Sequence, residues 1–363
     1  MKRTIWIVPL ILTACFTGCN RSAIPSQPAL SVKQIDLPVG SGRPGSIGIV
    51  GDLLDVQKPV FGGLVLMGGG RDVDAAFRWM IDRSGGGDVV ILRASGTDAY
   101  NPYISKLGKV NSVETLKIDS RELANNDTVA TIIRNAEMLF IAGGDQSNYM
   151  RYWRDTKTET AINYLLTEKK VPVGGTSAGC AIMGGFYYSG ENGSVTSADA
   201  LSNPYHNNIS LYSNDFLKAP YLQSVITDQH YVARSREGRS IVFLARILQE
   251  SRVAAKAVAV DERTAVCIDR DGKAKVFGLS SVERPFSYAY FITTDKDKSP
   301  EQLQAGQPVT WNHNGKALTV YEIQASENGN GQFDVGNFSM TAATGGKRYW
   351  WWVDKGVLHK KEQ

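Results

Sequence analysis

The sequence is poor in the residues that build metal sites and disulfide frameworks. Its 363 residues include four cysteines and four histidines, and two of the cysteines lie close to the N-terminus. The remaining pair, Cys180 and Cys267, is too small a set for a disulfide framework or a metal site. We therefore expect no metal and no other cofactor, and we interpret Cys180 as a buried apolar residue.

Other patterns are missing as well. The net charge is +4, and no long basic run accompanies it, so we expect no nucleic-acid partner. The sequence has no internal repeats. Its glycine-rich turn at residues 68–71 lacks both the spacing of a dinucleotide-binding motif and the lysine of a phosphate-binding loop, which argues against nucleotide binding.

The first apolar run is too short to cross a bilayer. It covers residues 5–12 and follows Lys2 and Arg3, an order typical of a signal peptide. The next residues resemble the lipobox of a bacterial lipoprotein precursor, with Cys15 as the first candidate for lipidation and Cys19 as the second. We expect an exported protein, periplasmic or on the cell surface, that contacts a membrane only through an N-terminal lipid anchor. The alternative is ordinary signal-peptidase cleavage and secretion.

From about residue 60, short apolar runs alternate with stretches of helical periodicity. The runs at 63–67, 89–92, 115–118, 138–141 and 171–173 predict strands, and the stretches at 73–81, 127–136 and 159–168 predict helices. Such alternation indicates an α/β fold with a doubly wound, mostly parallel sheet. In sheets of this kind, ligands bind beyond the carboxyl ends of the strands.

Further along the chain the pattern changes. We interpret residues 185–222, rich in Ser, Asn, Gly and Tyr, as a long excursion over the site. A helix at 236–249, a strand from 257 and a hairpin that turns at Asp271-Gly272 follow, and the aromatic run 349–352 is assigned to an edge strand. The predicted domains are a signal peptide at 1–19, a flexible tether at 20–45, an α/β domain at 46–284 and a β-rich C-terminal extension at 285–363.

One predicted strand leads directly into Gly175-Thr176-Ser177-Ala178-Gly179, the G-x-S-x-G pattern of a nucleophile elbow. The tight turn needs small neighbours and holds the serine hydroxyl out at the end of the sheet. The amide of Ala178 would then donate to an oxyanion, and an amide of Gly69 or Gly70 is the candidate second donor. A glycine-rich turn that carries a surface serine has the same pattern, so the motif alone is a hypothesis.

His230 is the candidate general base for Ser177. The other three histidines lie in asparagine-rich or basic stretches, whereas His230 follows an apolar run and precedes a helical pattern. Three arginines follow it, and their guanidinium groups suit a substrate that carries carboxylates. They are Arg234, Arg236 and Arg239. A solvated basic face would give the same pattern.

Taken in chain order, five motifs resemble the cyanophycinase and aspartyl dipeptidase (dipeptidase E) family of serine peptidases over residues 60–280. They are a strand followed by GGG, then GGDQ, GTSAG, DQHxxxRxRxxR and VxVDExTA. The arginine spacing is closer to the cyanophycinase branch. The resemblance implies a class-I glutamine-amidotransferase-like α/β fold and cleavage of peptides after aspartyl residues. Cyanophycinases cut cyanophycin, a poly-aspartate polymer with arginine side groups, into β-aspartyl-arginine dipeptides.

The resemblance also assigns roles to residues. Ser177 would be the nucleophile and His230 its base. The acid of the triad would be Glu191 or Glu262, with a slight preference for Glu191 because family members place an acid a short way after the serine. The substrate pocket would be lined by Gln146, Asp228, Gln229, Arg234, Arg236 and Arg239.

Two other functions stay open. The same family contains dipeptidases that act on α- or iso-aspartyl peptides, and the enlarged excursion at 185–222 would decide between such an enzyme and one that cleaves the polymer. The other hypothesis is a catalytically silent surface lipoprotein that binds peptide or polysaccharide through its aromatic C-terminal region. Assembly as a homodimer is also left open.

Overall fold

The structure, a computed structural model, describes residues 42–279 and 287–363. Within them the helices are α1 (Asp74–Arg83), α2 (Tyr100–Leu107), α3 (Arg121–Ala124), α4 (Asp127–Asn135), α5 (Gln146–Trp153), α6 (Lys157–Tyr164, continued by a π-helical turn, Leu165–Lys169), α7 (Ala178–Ala181), α8 (Ser197–Ser202) and α9 (Glu237–Ser251). The strands in the same residues are β1 (Ser46–Gly51), β2 (Gly63–Met67), β3 (Asp88–Arg93), β4 (Ser112–Lys117), β5 (Met138–Ile141), β6 (Pro172–Thr176), β7 (Phe186–Tyr188), β8 (Leu211–Ser213), β9 (Val225–Gln229), β10 (Lys256–Val260), β11 (Thr264–Asp269), β12 (Lys273–Gly278), β13 (Tyr288–Thr293), β14 (Leu318–Gln324), β15 (Asn330–Asp334), β16 (Ser339–Thr344), β17 (Lys347–Asp354) and β18 (Val357–Glu362).

The first sheet has ten strands in the order β1-β4-β3-β5-β6-β2-β11-β12-β15-β16. Its centre, from β4 to β2, is parallel, and antiparallel strands extend it on both sides. Alternate strand residues face opposite ways, so Val65 and Phe140 pack with α1 whereas Leu66 and Leu139 pack with α4 and α6. Helices on both faces of a mainly parallel sheet confirm the predicted doubly wound α/β fold.

The second sheet has eight strands in the order β18-β17-β14-β13-β10-β9-β7-β8. Strands β7, β9 and β10 run parallel to one another, and α9 buries its apolar residues against this sheet. The C-terminal region is rich in β structure, as predicted, and it supplies strands to both sheets. Phe291 of β13 and Phe333 of β15 stack with their ring centroids 4.0 Å apart, so the C-terminal strands also hold the two sheets together.

Residues 185–222 differ from the predicted excursion because they contain regular structure. This stretch forms β7, α8 and β8, which are three to six residues long and therefore too short for periodicity to reveal. They fold because apolar residues such as Phe186, Tyr188 and Leu201 are buried in the core beneath the second sheet. Helices α2, α3 and α5 were likewise not predicted.

The aromatic run near the C-terminus lies inside the second sheet, so the edge-strand prediction was wrong. Strand β17 pairs with β14 on one side and β18 on the other. Trp351 is 1% exposed, whereas Trp350 and Trp352 on the opposite face are half-buried. The edge strand is β18, whose charged residues suit an exposed edge.

The predicted signal peptide, the lipidation candidates Cys15 and Cys19 and nearly all of the predicted tether lie outside the described residues. Within residues 42–279 and 287–363, no helix has both the length and the apolar character needed to span a membrane. The same residues contain no cluster of three or more histidine, cysteine or acidic side chains that could hold a metal ion. Cys180 and Cys267 are buried thiols.

Candidate active site

Ser177 lies in a sharp turn between β6 and α7. Its φ of 51° and ψ of −116° fall in a sparsely populated region for a residue with a side chain. The turn requires glycine on both sides, because a Cβ at Gly175 would lie 2.4 Å from the carbonyl oxygen of Gly179, and one at Gly179 would lie 2.2 Å from that of Ile141. The local geometry is that of a nucleophile elbow.

A line of hydrogen bonds joins Ser177, His230 and Glu262. Ser177 Oγ lies 2.7 Å from His230 Nε2, and His230 Nδ1 lies 2.7 Å from Glu262 Oε1. Val260 at the end of β10 pairs with Gln229 at the end of β9 in a parallel ladder, so the residues that follow them emerge side by side. The nucleophile candidate therefore comes from the first sheet, and its base and acid come from the second.

Glu191 lies elsewhere in the site region, which corrects the preference for it. Its Oε1 accepts a hydrogen bond of 2.5 Å from the hydroxyl of Tyr212. The acid that contacts His230 is Glu262, 32 residues further along the chain than the histidine. Sequence distance from Ser177 gave the wrong preference because the choice depends on which strands are neighbours in the second sheet.

The Gly68-Gly69-Gly70 turn packs against the His230–Glu262 pair. A Cβ on Gly69 would lie 2.4 Å from His230 Cε1, and one on Gly70 would lie 3.2 Å from Glu262 Oε2. Both glycines have positive φ, 95° and 71°, which favours glycine. The predicted oxyanion donors Gly69, Gly70 and Ala178 are not among the residues that line the cavity at Ser177. Gly69 and Gly70 pack against the histidine and its acid.

Ser177 and His230 open into a cavity of about 290 Å³. Five predicted pocket residues line it: Gln146, Gln229, Arg234, Arg236 and Arg239. Two more, Gly144 and Asp145, belong to the GGDQ motif, whereas sequence reasoning did not single out the other four lining residues, which are Tyr188, Gly190, Gly193 and Ser194. These four follow β6 in the Tyr- and Gly-rich stretch that was interpreted as an excursion over the site, so the composition of that stretch was the available signal.

The turn after β5 brings its backbone close to the serine hydroxyl. A Cβ on Gly143 would lie 3.8 Å from Ser177 Oγ, and the neighbouring Gly144 lines the cavity. Asp145 caps α5 by accepting a hydrogen bond of 2.9 Å from the amide of Ser147. This turn is therefore fixed in position beside the nucleophile candidate.

The three arginines have different surroundings. Arg234 is exposed at the cavity, and Arg236 donates to the carbonyl oxygen of Gln229 at 2.8 Å. Arg239 is buried and donates two hydrogen bonds to Asp228, one of them from Nε at 3.1 Å. Asp228 was predicted to line the pocket, but it is not among the lining residues; it lies behind them and orients Arg239.

The surroundings of Asp228 favour its charged form. Burial would raise the pKa of Asp228, but the charge and hydrogen bonds of Arg239 outweigh burial and lower it. Burial, followed by repulsion from Arg239, lowers the pKa of Arg236 to about 10, so Arg236 stays cationic at neutral pH. The cavity is therefore positively charged near the N-terminal end of α9.

Burial also lowers the pKa of His230. The positive charges of Arg234 and Arg236 lower it further, while the hydrogen bond to Glu262 opposes the shift. At neutral pH the imidazole is consequently neutral, and its Nε2 can accept the proton of Ser177. A neutral histidine beside a serine hydroxyl, with its other ring nitrogen hydrogen-bonded to a carboxylate, can activate the serine as a nucleophile.

The site lies in a stretch of sequence that matches the model of Peptidase family S51 over residues 64–276. The chain therefore belongs to this peptidase family, which confirms the resemblance drawn from its motifs, and the membership supports a peptidase activity. Among curated proteins, the chain is 29% identical over 170 residues to a cyanophycinase of Trichormus variabilis, covering 47% of this chain and 52% of that protein. It is 26% identical over 249 residues to a cyanophycinase of Synechococcus elongatus, covering 64% and 72%.

The chain thus spans about half the length of the curated relatives that it matches first. Among solved structures, a peptidase from an acI-B1 Actinobacterium gives a TM-score of 0.45 at 15% identity over 62% of this chain and 90% of that one. A putative peptidase E from Listeria monocytogenes gives 0.38 at 18% identity over 61% and 100%.

The two candidate acids provide a matched pair of variants. Replacing Glu262 with Gln should slow the covalent labelling of Ser177 by a fluorophosphonate about 10³- to 10⁴-fold, because the histidine loses the group that orients it and stabilises its protonated form. Replacing Glu191 with Gln should change the rate less than threefold. The labelling rate is measured by mass spectrometry. A Glu262 variant that keeps its labelling rate within threefold of the unaltered protein would contradict the role of Glu262.

The lowered pKa of His230 predicts the pH dependence of the same labelling reaction. The imidazole must be neutral to accept a proton, so the rate should fall with acidification at a midpoint below the ordinary value of 6.5. Replacing Arg234 with Gln removes a nearby positive charge, which should raise the pKa and move the midpoint upward. A midpoint that stays fixed in this variant would contradict the electrostatic coupling.

Proposed function

We propose that this protein is a serine-type peptidase that hydrolyses aspartyl peptide bonds, with Ser177 as nucleophile, His230 as general base and Glu262 as the acid that orients the base. The observation that carries the proposal is the pair of 2.7 Å contacts that align the three side chains. The strained turn at Ser177 and membership of a peptidase family support the same chemistry.

In the proposed mechanism, His230 takes the proton from Ser177 Oγ as the oxygen attacks the amide carbonyl. The negative charge on the carbonyl oxygen is stabilised by the backbone amide of Ala178, the residue after the serine. The backbone amide of Gly144, in the turn after β5, is the second donor. His230 then protonates the leaving amine, and water hydrolyses the acyl-enzyme. Glu262 stabilises the imidazolium that forms in both steps. The preorganised donors contribute about 3 kcal/mol each to lowering the barrier.

The charges in the cavity support an aspartyl substrate. Arg234 and Arg236 offer cationic groups to a carboxylate beside the scissile bond, and Gln146 and Gln229 offer amides. Asp145 is the acidic side chain among the lining residues, and it suits a guanidinium. An aspartyl unit that carries arginine, as in cyanophycin, would satisfy both kinds of group, so we propose cyanophycinase-like cleavage to β-aspartyl-arginine dipeptides.

A substrate panel tests this specificity. Purified protein is incubated with cyanophycin, with α-aspartyl dipeptides and with iso-aspartyl dipeptides, and products are quantified by chromatography and mass spectrometry. We expect β-aspartyl-arginine from cyanophycin, with kcat/KM at least tenfold above that for any dipeptide. Replacing Ser177 with Ala should abolish the activity with the fold intact by circular dichroism.

The possible results separate the substrate from the chemistry. If only the dipeptides are hydrolysed, the protein is a dipeptidase and not an enzyme that cleaves the polymer. The assignment of the triad would then still stand. Hydrolysis that survives in the Ser177→Ala protein would exclude the serine as nucleophile. Failure to cleave any member of the panel, together with no labelling of Ser177 by a fluorophosphonate, would favour the catalytically silent binding protein.

We further propose that the protein is exported as a lipoprotein, with a signal peptide that is cleaved immediately before the lipidated cysteine and a tether before the α/β domain. The proposal is supported by Lys2-Arg3, the short apolar run after them and the lipobox-like residues before Cys15. Expressed in a bacterial host with labelled palmitate, the chain should carry the label. Replacing Cys15 with Ser should remove it, and replacing Cys19 with Ser should leave it; the reverse result would assign the anchor to Cys19.

A further inference from the structure

A second cavity of about 650 Å³ lies at the end of the strands opposite to Ser177. Its walls include Gly63 at the start of β2, Val171 just before β6, Ser224 just before β9 and Lys256 at the start of β10. Ser177 and the other catalytic candidates follow the carboxyl ends of these parallel strands. Strands of this length separate the two cavities by about 15 Å at roughly 3.3 Å per residue, and the cavities share no lining residue.

The charge of this second cavity is strongly unbalanced. The charged residues among those lining it are four basic ones and one acidic one: Lys170, Lys218, Lys256, Arg270 and Asp269. The carboxylate of Asp269 already accepts two backbone N–H groups, from Asp271 and Lys273, both at 2.9 Å. Its charge therefore offsets only part of the positive potential in the cavity.

The lysines of the cavity are not held in close ion pairs within the described residues, although the charge of Lys218 acts on the Glu159 carboxylate. Lys169, by contrast, lies 2.9 Å from Glu137 in an ion pair with a fully buried carboxylate. In the part of the chain that the structure describes, Lys170, Lys218 and Lys256 form no such pair. An anion bound at this concave surface would bring negative charge towards these ammonium groups.

Lys256 is the member of the group that is best placed to contact a ligand inside the cavity. It is half-buried at the start of β10, and its Nζ lies 5.2 Å from the ring centroid of Phe338. Burial lowers the pKa of Lys256, and no acidic neighbour opposes the shift. Lys170 and Lys218 are exposed and come from two other segments of the chain, so three separate segments contribute a lysine to the lining of the cavity.

We propose that this cavity is a second binding site, for a small polyvalent anion that carries carboxylate or phosphate groups. Lysines are compact point charges with rotatable donors, and three of them on separate segments suit an anion with several charged groups better than a single carboxylate. The volume admits a ligand of the size of citrate or pyrophosphate together with water. The site is independent of the proposed peptidase chemistry, because it lies at the other end of the sheets.

Calorimetric titration of the full chain with citrate, and separately with pyrophosphate, tests the proposal at low ionic strength. We expect one anion per chain, with the better of the two probes showing whether carboxylate or phosphate is preferred. The double variant Lys218→Gln/Lys256→Gln should weaken binding at least tenfold. Replacing Lys106 with Gln removes an exposed lysine on α2, outside both cavities, and should leave binding unchanged.

Two further variants show which cavity binds the anion. Replacing Arg234 with Gln removes a cation from the catalytic cavity and should also leave binding unchanged. If this variant loses binding while the double variant keeps it, the anion binds at the catalytic cavity and the proposal is wrong. Binding of neither probe, or an equal loss in the Lys106 variant, also overturns it. Should the double variant unfold, Lys218→Gln alone changes only an exposed side chain and should weaken binding in the same direction.

Discussion

The hydrogen bond between Ser177 and His230 joins two β-sheets, and the rest of the site depends on the distance between them. The serine follows β6 in the first sheet and the histidine follows β9 in the second. Their 2.7 Å separation requires the two sheets to approach closely at the carboxyl ends of their parallel strands. The turn after β2 permits this approach, because a Cβ on Gly68 would lie only 1.9 Å from the carbonyl oxygen of Asp261. The same glycine accepts a hydrogen bond of 2.7 Å from the amide of His230.

The backbone is strained at both residues that make this bond. Both have positive φ, 51° at Ser177 and 49° at His230, and such conformations cost about 1–3 kcal/mol each in residues with side chains. They persist because surrounding contacts fix them. On the histidine side, Asp261 Oδ1 accepts from the amide of Ala233 at 2.9 Å, which holds the loop that carries the histidine and the arginines. Strain at the catalytic candidates is thus balanced by packing and hydrogen bonds in the layer behind them.

The C-terminal strands belong to this support as much as the central strands do. Strand β13 pairs with β10 along its whole length, and β10 carries Glu262 just beyond its end. Because β13 and β15 are stacked through Phe291 and Phe333, the region that looks like an addition in the sequence also fixes the relative position of the two sheets. The aromatic residues of the C-terminal region take part in this packing, and Trp351 of β17 is also buried.

Features that depend on neighbouring residues could be predicted from the amino-acid sequence. The central strands, the helices α1 and α4, the elbow at Ser177 and the choice of His230 follow from apolar periodicity, glycine spacing and the surroundings of each histidine in the chain. These signals are local, so no knowledge of the fold was needed to detect them. The short elements between 186 and 213 could not be predicted, because three to six residues are too few to show a periodic pattern of apolar residues.

The tertiary structure decided which distant residues meet. Glu262 rather than Glu191 contacts His230 because β9 and β10 are parallel neighbours, and strand order cannot be obtained from spacing along the chain. Strands β5 and β2 lie on the two sides of β6 in the first sheet. The turn after β5 therefore faces the serine from one side, while the glycine turn after β2 packs against the histidine on the other. Asp228 and Gln229 are successive residues of β9, yet of the two only Gln229 lines the cavity. Asp228 faces the other way and holds Arg239, since successive residues of a strand face opposite sides.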